Sequence, residues 1–457
     1  MSSFMKKPET TELNRRDFLR GGSFATLMTM LGGVELISRT PACAADLETL
    51  VPFQVKCGVI GLGAWGREIV STLSRLKTAQ LVSVCDSYAV SLKRAASVAP
   101  NAKAVDDYRK ILDDKDVKAV IIATPTHQHR EIAVAALQAG KHVYCEAPLA
   151  TTSEDAKAIA LAAKAARRQV FQSGLQSRSN PQRRFILDFI RTGAAGKAVK
   201  ARAQWNKKQS WRATSANPDR EKELNWRLDK QTSLGLVGEI GTHQIDSMTW
   251  FINALPASVT GFGSLVHWQD GRDVPDTVEA VFEFPEGTQL TYEYTLANSF
   301  DADYEVLYGT DAAIMLRGSK AWLFKEVDSP LLGWEVYARK DQFYKETGIA
   351  LVANATKLSA QSEKPGDESP FASSSLSYAL EAFLANVNEL SSAVEDFAAS
   401  FDVNDKAALG KFIAGVKMQP AAGYHEGYVA AVMAIKAHEA ILKGEKLAFQ
   451  KESFELA

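Results

Sequence analysis

Gly61-Leu62-Gly63-Ala64-Trp65-Gly66 decides the fold. These residues follow an apolar run, Val55 to Ile60, and open a stretch of helical spacing, Arg67 to Leu76. Asp86 answers them at the tip of the next apolar run, Leu81 to Cys85. A glycine triplet between a strand and a helix, with a carboxylate ending the second strand, is a dinucleotide fingerprint. Gly61 permits the tight turn, Gly63 lets a pyrophosphate approach the backbone, and Gly66 lets the helix pack on the strand. Leu62, Ala64 and Trp65 complete a loop that brings phosphate charge to a helix N-terminus. Asp86 would accept hydrogen bonds from the adenosine ribose hydroxyls and repel a ribose phosphate, which favours NAD over NADP. Lys93 and Arg94 nearby act against that preference. The rival reading is a glycine turn in a doubly wound sheet that binds no nucleotide.

Outward from the loop, Ala119 to Ala123, His142 to Cys145 and Val170 to Gln172 read as further strands. Asp107 to Leu112, His129 to Ala139 and Glu154 to Ala166 carry apolar residues at helical spacing. The alternation predicts an α/β, doubly wound parallel Rossmann sheet over 53–174. Past Ser177 the runs lengthen and alternate: Ala198 to Trp205, Ala257 to Leu265, Thr277 to Phe284, Gln289 to Tyr294 and Tyr304 to Gly309. These predict a second, α+β domain over 175–457 with an antiparallel sheet. Pro285-Glu286-Gly287 and Gly309-Thr310-Asp311 sit where hairpin turns are needed. A serine-rich stretch at 357–374 reads as a mobile surface loop, and helices are expected near 376–397 and 426–442.

Composition narrows the partners. Among 457 residues, 53 lysines and arginines face 54 aspartates and glutamates, so there is no basic footprint for nucleic acid or an anionic membrane. Residues 1–44 read as a targeting segment: Asn14-Arg15-Arg16-Asp17-Phe18-Leu19-Arg20 is a twin-arginine pattern, a short apolar stretch follows, and Ala42-Cys43-Ala44 resembles a cleavage site. The stretch is too short for a stable membrane anchor. Lipidation at Cys43 is the rival reading. Twin-arginine export through its translocation machinery places the mature protein in the periplasm or outside the cell, folded and loaded with its nucleotide. No nicotinamide pool is expected there, so a bound cofactor must be returned to its starting state in place. Cys57, Cys85 and Cys145 lie in or at the end of predicted strands and read as free, packed thiols.

Thr124-Pro125-Thr126-His127-Gln128-His129 and Gly140-Lys141-His142-Val143-Tyr144-Cys145-Glu146-Ala147-Pro148-Leu149-Ala150 resemble motifs of the Gfo/Idh/MocA family. Asn225-Trp226-Arg227, Gly238-Glu239-Ile240-Gly241-Thr242-His243-Gln244-Ile245-Asp246 and Asp276-Thr277 resemble its second-domain motifs. The resemblance implies a bound nicotinamide nucleotide, a large open-faced sheet carrying a sugar or polyol site, and a homodimer or homotetramer formed through that face. It sets Thr124, Pro125, His129, Glu146 and Pro148 around the cofactor. One departure matters: Ala147 stands where the family carries a lysine that accepts or positions a proton.

The missing base must be found elsewhere. His243 is the leading candidate, by its place in the motif. A helix over 239–250 would set Glu239, His243, Asp246 and Trp250 on one face, where a carboxylate could hold the imidazole in one tautomer. The bland reading is a buried bridging histidine, and a metal shared by Glu239, His243 and Asp246 is a further alternative; the reading adopted has no metal. Lys207 or Lys208 could supply the missing ammonium. His127, Arg178, Trp211 and Arg227 are candidates for the sugar site, with Arg212, and Tyr424, His425 and Tyr428 cluster near the last helix. Three functions fit: an oxidoreductase that alternates two sugar-like partners on tightly held NAD; an NAD-assisted redox-neutral glycosidase or lyase; and a noncatalytic sugar-binding protein.

Overall fold

Strands β1 (Val55–Ile60), β2 (Ala79–Cys85), β3 (Lys103–Val105), β4 (Ala119–Ile122), β5 (His142–Cys145) and β6 (Phe171–Ser173) form one sheet in the order β3-β2-β1-β4-β5-β6. Every pair in it is parallel. The computed structural model describes residues 53–332, 335, 340–343, 346–351 and 373–456. The expected targeting segment with Arg15, Arg16 and Cys43 lies outside the described residues, as does nearly all of the expected loop at 357–374. Strands buried on both faces read as continuous apolar runs, and β4 and β5 are buried at every residue. The strand order reverses between β1 and β4, which opens a crevice at their carboxyl ends. Two elements carry no comparable signal: β3, of which only Val105 is buried, and the short helix Ala89–Ala96.

The second sheet is built from β7 (Ala198–Asn206), β8 (Ser258–Ser264), β9 (Thr277–Glu283), β10 (Gln289–Thr295), β11 (Asp303–Gly309), β12 (Ala312–Arg317), β13 (Lys320–Lys325), β14 (Lys340–Phe343), β15 (Glu346–Ala350) and β16 (Leu447–Ala448). Its order is β14-β15-β13-β12-β11-β7-β10-β9-β8-β16. It is mixed: β7 runs parallel to β10 and every other pairing is antiparallel. The hairpin between β9 and β10 turns at Gly287, whose φ of +86° favours glycine. Leu290, Tyr292 and Tyr294 point into the core, and the helices Gly241–Ile252 and Tyr424–Lys443 cover that face. Lys200, Glu279 and Gln289 are exposed.

The helix Ser375–Ser400 comes late in the chain yet packs on the first sheet. Leu376, Leu380, Phe383 and Val387 share a core cluster with Val55, Cys57, Val59 and Tyr144, and Gln172 donates to the Ala379 carbonyl at 2.8 Å. The three described cysteines are unpaired and buried. No described helix is long and apolar enough to cross a membrane.

Candidate active site

A groove of about 1890 Å³ follows the carboxyl ends of β1, β2 and β4. Gly61, Gly63, Trp65 and Asp86 line one wall, and Trp211, Arg220, Trp226 and Arg227 line the other. The glycines divide their roles sharply. A Cβ on Gly61 would sit 2.7 Å from the Ala123 backbone, and one on Gly66 would sit 1.9 Å from the Gly61 carbonyl oxygen. A Cβ on Gly63 would meet nothing within 4 Å. Gly61 and Gly66 therefore let strand and helix close on one another, while Gly63 leaves open space for a pyrophosphate. Asp86 accepts from the backbone N–H of Leu62 and of Tyr88, each at 2.8 Å, which fixes its carboxylate at the end of β2. The cradle fits NAD: Gly61, Leu62, Gly63, Ala64, Trp65 and Gly66 for the diphosphate and Asp86 for the adenosine ribose.

At the other end of the groove, Thr124, Pro125 and His127 line the wall, and the His127 ring lies 6.1 Å from Trp226. His129 is buried beneath them. Its ring nitrogens lie 3.0 Å from the Thr124 carbonyl and 3.1 Å from the Pro148 carbonyl, so it ties together the loops that follow β4 and β5. Burial pushes the His129 imidazole down to about 4. Burial pushes the Glu146 carboxyl up to about 7, and its Oε1 has no hydrogen-bond partner. Neither His129, Glu146 nor Pro148 lines the groove; they support the loops that do.

The expected helix over 239–250 is broken. Gly235–Glu239 and Gly241–Ile252 are separate helices that meet at Ile240, whose φ and ψ are −123° and −49°. Gly238 and Gly241 allow the break: a Cβ on Gly238 would meet the Leu234 side chain at 2.1 Å, and one on Gly241 would meet the Tyr292 ring at 2.7 Å. Glu239 consequently turns away from His243. It accepts from Thr126 Oγ1 at 2.9 Å and from Ser233 Oγ and the Leu234 N–H at 3.2 Å. Burial raises its pKa, against the nearby charge of Arg227.

Asp246 is likewise engaged. Arg178 grips it with Nε at 2.9 Å and a second guanidinium nitrogen at 2.8 Å, a bidentate pair with Asp246 buried. This corrects two expectations: Asp246 does not orient His243, and Arg178 is committed to a protein carboxylate instead of facing a sugar. The His243 ring has no hydrogen-bond partner among the described residues and stands outside the groove lining. Burial, with the Arg183 charge, takes it down to about 4, so the imidazole is neutral at physiological pH. Glu239, His243 and Asp246 do not share a ligand position, and no His, Cys, Asp or Glu group able to hold a metal converges among the described residues.

Lys207 and Lys208 are exposed at the end of β7 and do not line the groove. Trp211 and Arg227 both line the groove, the Arg227 guanidinium lying 5.8 Å from the Trp211 ring and 4.8 Å from Trp226. Arg227 Nε is buried without a partner. Arg212 is tied to Glu221 at 2.8 Å. The late cluster disperses: His425 is exposed, and Tyr428 donates to the Ser453 carbonyl at 2.8 Å inside the core. Asn225 and Asp276 prove to be loop organisers. Asn225 exchanges hydrogen bonds with the Ala213 backbone at 2.8 Å each way, and Asp276 accepts from the N–H groups of Val266, His267 and Trp268. Sequence reading missed Arg220 and Tyr88, which face one another across the groove with the guanidinium 4.5 Å from the ring.

A parallel sheet with this glycine loop at the mouth of a dinucleotide-sized groove, followed in the chain by a large mixed, mostly antiparallel sheet, defines a nicotinamide-nucleotide oxidoreductase architecture. The chain belongs to the Gfo/Idh/MocA family: residues 55–173 match its "Oxidoreductase family, NAD-binding Rossmann fold" model and residues 184–323 its C-terminal domain. A levoglucosan dehydrogenase from Pseudarthrobacter phenanthrenivorans is 38% identical over 152 residues, which is 33% of this chain and 37% of that one. A 1,5-anhydro-D-fructose reductase from Ensifer adhaerens is 29% identical over 57% of this chain and 75% of its own. Levoglucosan dehydrogenase solved with NADH and levoglucosan has the same fold, with a TM-score of 0.62 at 21% identity, covering 86% of this chain and 99% of that one.

Proposed function

We propose that the chain is an exported NAD-dependent oxidoreductase acting on a sugar, polyol or glycoside, and that it keeps its NAD bound through turnover. The groove carries this reading, because one wall is a glycine cradle cleared at Gly63 and the other presents Trp211, Trp226 and Arg227. Indole faces stack on the apolar side of a sugar ring, and a buried guanidinium nitrogen without a partner, such as Arg227 Nε, can donate to its hydroxyls. NAD, when bound, supplies the acceptor and donor of hydride. Asp86 would hold its ribose, and His129, which ties together the loops after β4 and β5, would keep the wall beside it in place. His243, by its place in the family motif, is the residue assigned to take the hydroxyl proton; its ring is free of protein partners, but it stands outside the groove lining and a pKa lowered to about 4 makes it a weak base. Two relatives whose names specify anhydrosugar substrates, levoglucosan dehydrogenase and 1,5-anhydro-D-fructose reductase, support a carbohydrate substrate.

Export rests on Arg15 and Arg16 ahead of a short apolar stretch. It gives the retained cofactor its purpose, since NAD lost in the periplasm is not replaced. The exposed face of the second sheet is the proposed surface for a dimer or tetramer.

The test begins with mass spectrometry of nucleotide released on denaturing the mature protein, followed by a screen of polyols and glycosides on the same sample. NAD in near-stoichiometric amount is expected, with a change in its redox state on adding substrate. Apoprotein that turns over only with continual external NAD overturns the retained-cofactor reading, and bond cleavage without net NADH moves the reaction to the redox-neutral class. His243→Ala is expected to cut turnover about 10²- to 10⁴-fold with substrate binding retained. Unchanged turnover removes His243 from the mechanism.

A further inference from the structure

We propose that Arg220 is a latch on the adenosine end of the cofactor, carried across the groove by the second half of the chain. The inference rests on the reading that the groove holds NAD. Arg220 lies on the helix Pro218–Leu224, far from the fingerprint in sequence, yet its guanidinium stacks 4.5 Å from the Tyr88 ring and reaches to 4.0 Å from Asp86 Oδ1. Its side chain is 17% exposed; one terminal nitrogen donates to Glu223 at 2.8 Å, while Nε is buried with no hydrogen-bond partner. A buried guanidinium nitrogen left unpaired costs free energy that a ligand oxygen recovers.

The geometry suits a ribose hydroxyl. The gap between Arg220 and Asp86 is too long for a direct hydrogen bond and can be bridged by one oxygen that donates to the carboxylate and accepts from the guanidinium. Asp86 is held from below by the Leu62 and Tyr88 N–H groups, so the two partners of that hydroxyl are fixed from opposite walls.

Arg220 is delivered by a braced segment. Asn217 caps its helix through the N–H groups of Asp219 and Arg220, at 2.9 and 3.1 Å. Glu221 receives Arg212 at 2.8 Å and the Ser215 N–H at 3.1 Å, and Asn225 closes the segment on Ala213. The same segment begins at Trp211 and ends at Trp226 and Arg227, so the element that faces the sugar also covers the adenosine. Release of the cofactor requires the Arg220 contact to open, which slows dissociation from a site with no replacement pool.

The experiment compares Arg220→Ala, Arg220→Lys, Tyr88→Ala and Asp86→Ala in the full chain. It measures the rate of NAD release from purified holoenzyme and the affinities for NAD, ADP-ribose and nicotinamide mononucleotide. Arg220→Ala is expected to weaken NAD and ADP-ribose by about tenfold or more, and to speed NAD release, with nicotinamide mononucleotide unaffected. Arg220→Lys, which keeps the charge and loses the planar fork, falls between; it carries the test if the alanine variant does not fold. Equal losses for the mononucleotide, or unchanged affinity for ADP-ribose, overturn the latch. If Asp86→Ala weakens ADP-ribose and Arg220→Ala does not, the latch fails and the groove stands. If neither variant changes it, the groove reading fails as well.

Discussion

The glycines at 61–66 and those at 238 and 241 use the same missing Cβ to opposite ends. In the first region Gly66 lets a helix approach a strand, and the clearance beside Gly63 is left open for a ligand. In the second, Gly238 and Gly241 admit Leu234 and Tyr292, so the space is filled by the protein itself and the helix breaks at Ile240. One region stores room for a cofactor. The other spends its room on redirecting Glu239 toward Thr126 and separating it from His243. A glycine motif thus marks close approach, and what approaches is decided by the surroundings.

The sharpest way to break the comparison is to remove the constraint that holds the second region. Arg178→Ala leaves Asp246 buried and unpaired, which is expected to cost about 3–5 kcal/mol in chemical denaturation. A loss near zero would mean that the helix Gly241–Ile252 is positioned by packing alone. Next, Gly66→Ala places a methyl against the Gly61 carbonyl and is expected to cost about 3 kcal/mol or more of stability. Gly63→Ala meets open space, so its unfolding midpoint should hold while NAD affinity drops. Equal thermal shifts for the two variants would erase the distinction between glycine for packing and glycine for ligand.

A smaller effect sharpens the comparison at a third glycine. Gly174 makes room for Glu146, since a Cβ there would sit 2.3 Å from Glu146 Oε2. The Glu146 carboxyl titrates at about 7 in the folded chain against an ordinary 4.5, so its ionisation opposes folding. Stability is expected to fall as pH rises through that window, by at most about 3 kcal/mol, and Glu146→Gln should flatten the slope. A variant with the same pH profile as the parent would show that Glu146 is relieved by solvent.

The first sheet was largely legible because strands buried on both faces write themselves as apolar runs: β1 and β5 begin and end where the runs do. β3 was not, since Lys103 and Ala104 are exposed and only Val105 enters the core. The pairing of Glu239 with His243 was misread because four-residue spacing implies proximity only in an unbroken helix, and Gly238 and Gly241 were the signal against one. Arg220 was invisible for another reason. It sits in Asp219-Arg220-Glu221-Lys222-Glu223, a charged run that reads as a solvated helix face, and nothing local records that Tyr88 lies across from it.

The helix Ser375–Ser400 has a consequence for how the molecule is made. Part of the apolar flank of the nucleotide-binding sheet is supplied by residues translated more than 200 positions after its last strand, so on the ribosome that flank stays uncovered until the helix Ser375–Ser400 has been made. Completion of the nucleotide half is thereby tied to arrival of the C-terminal segment, and a chain truncated before Ser375 lacks a wall of its first core.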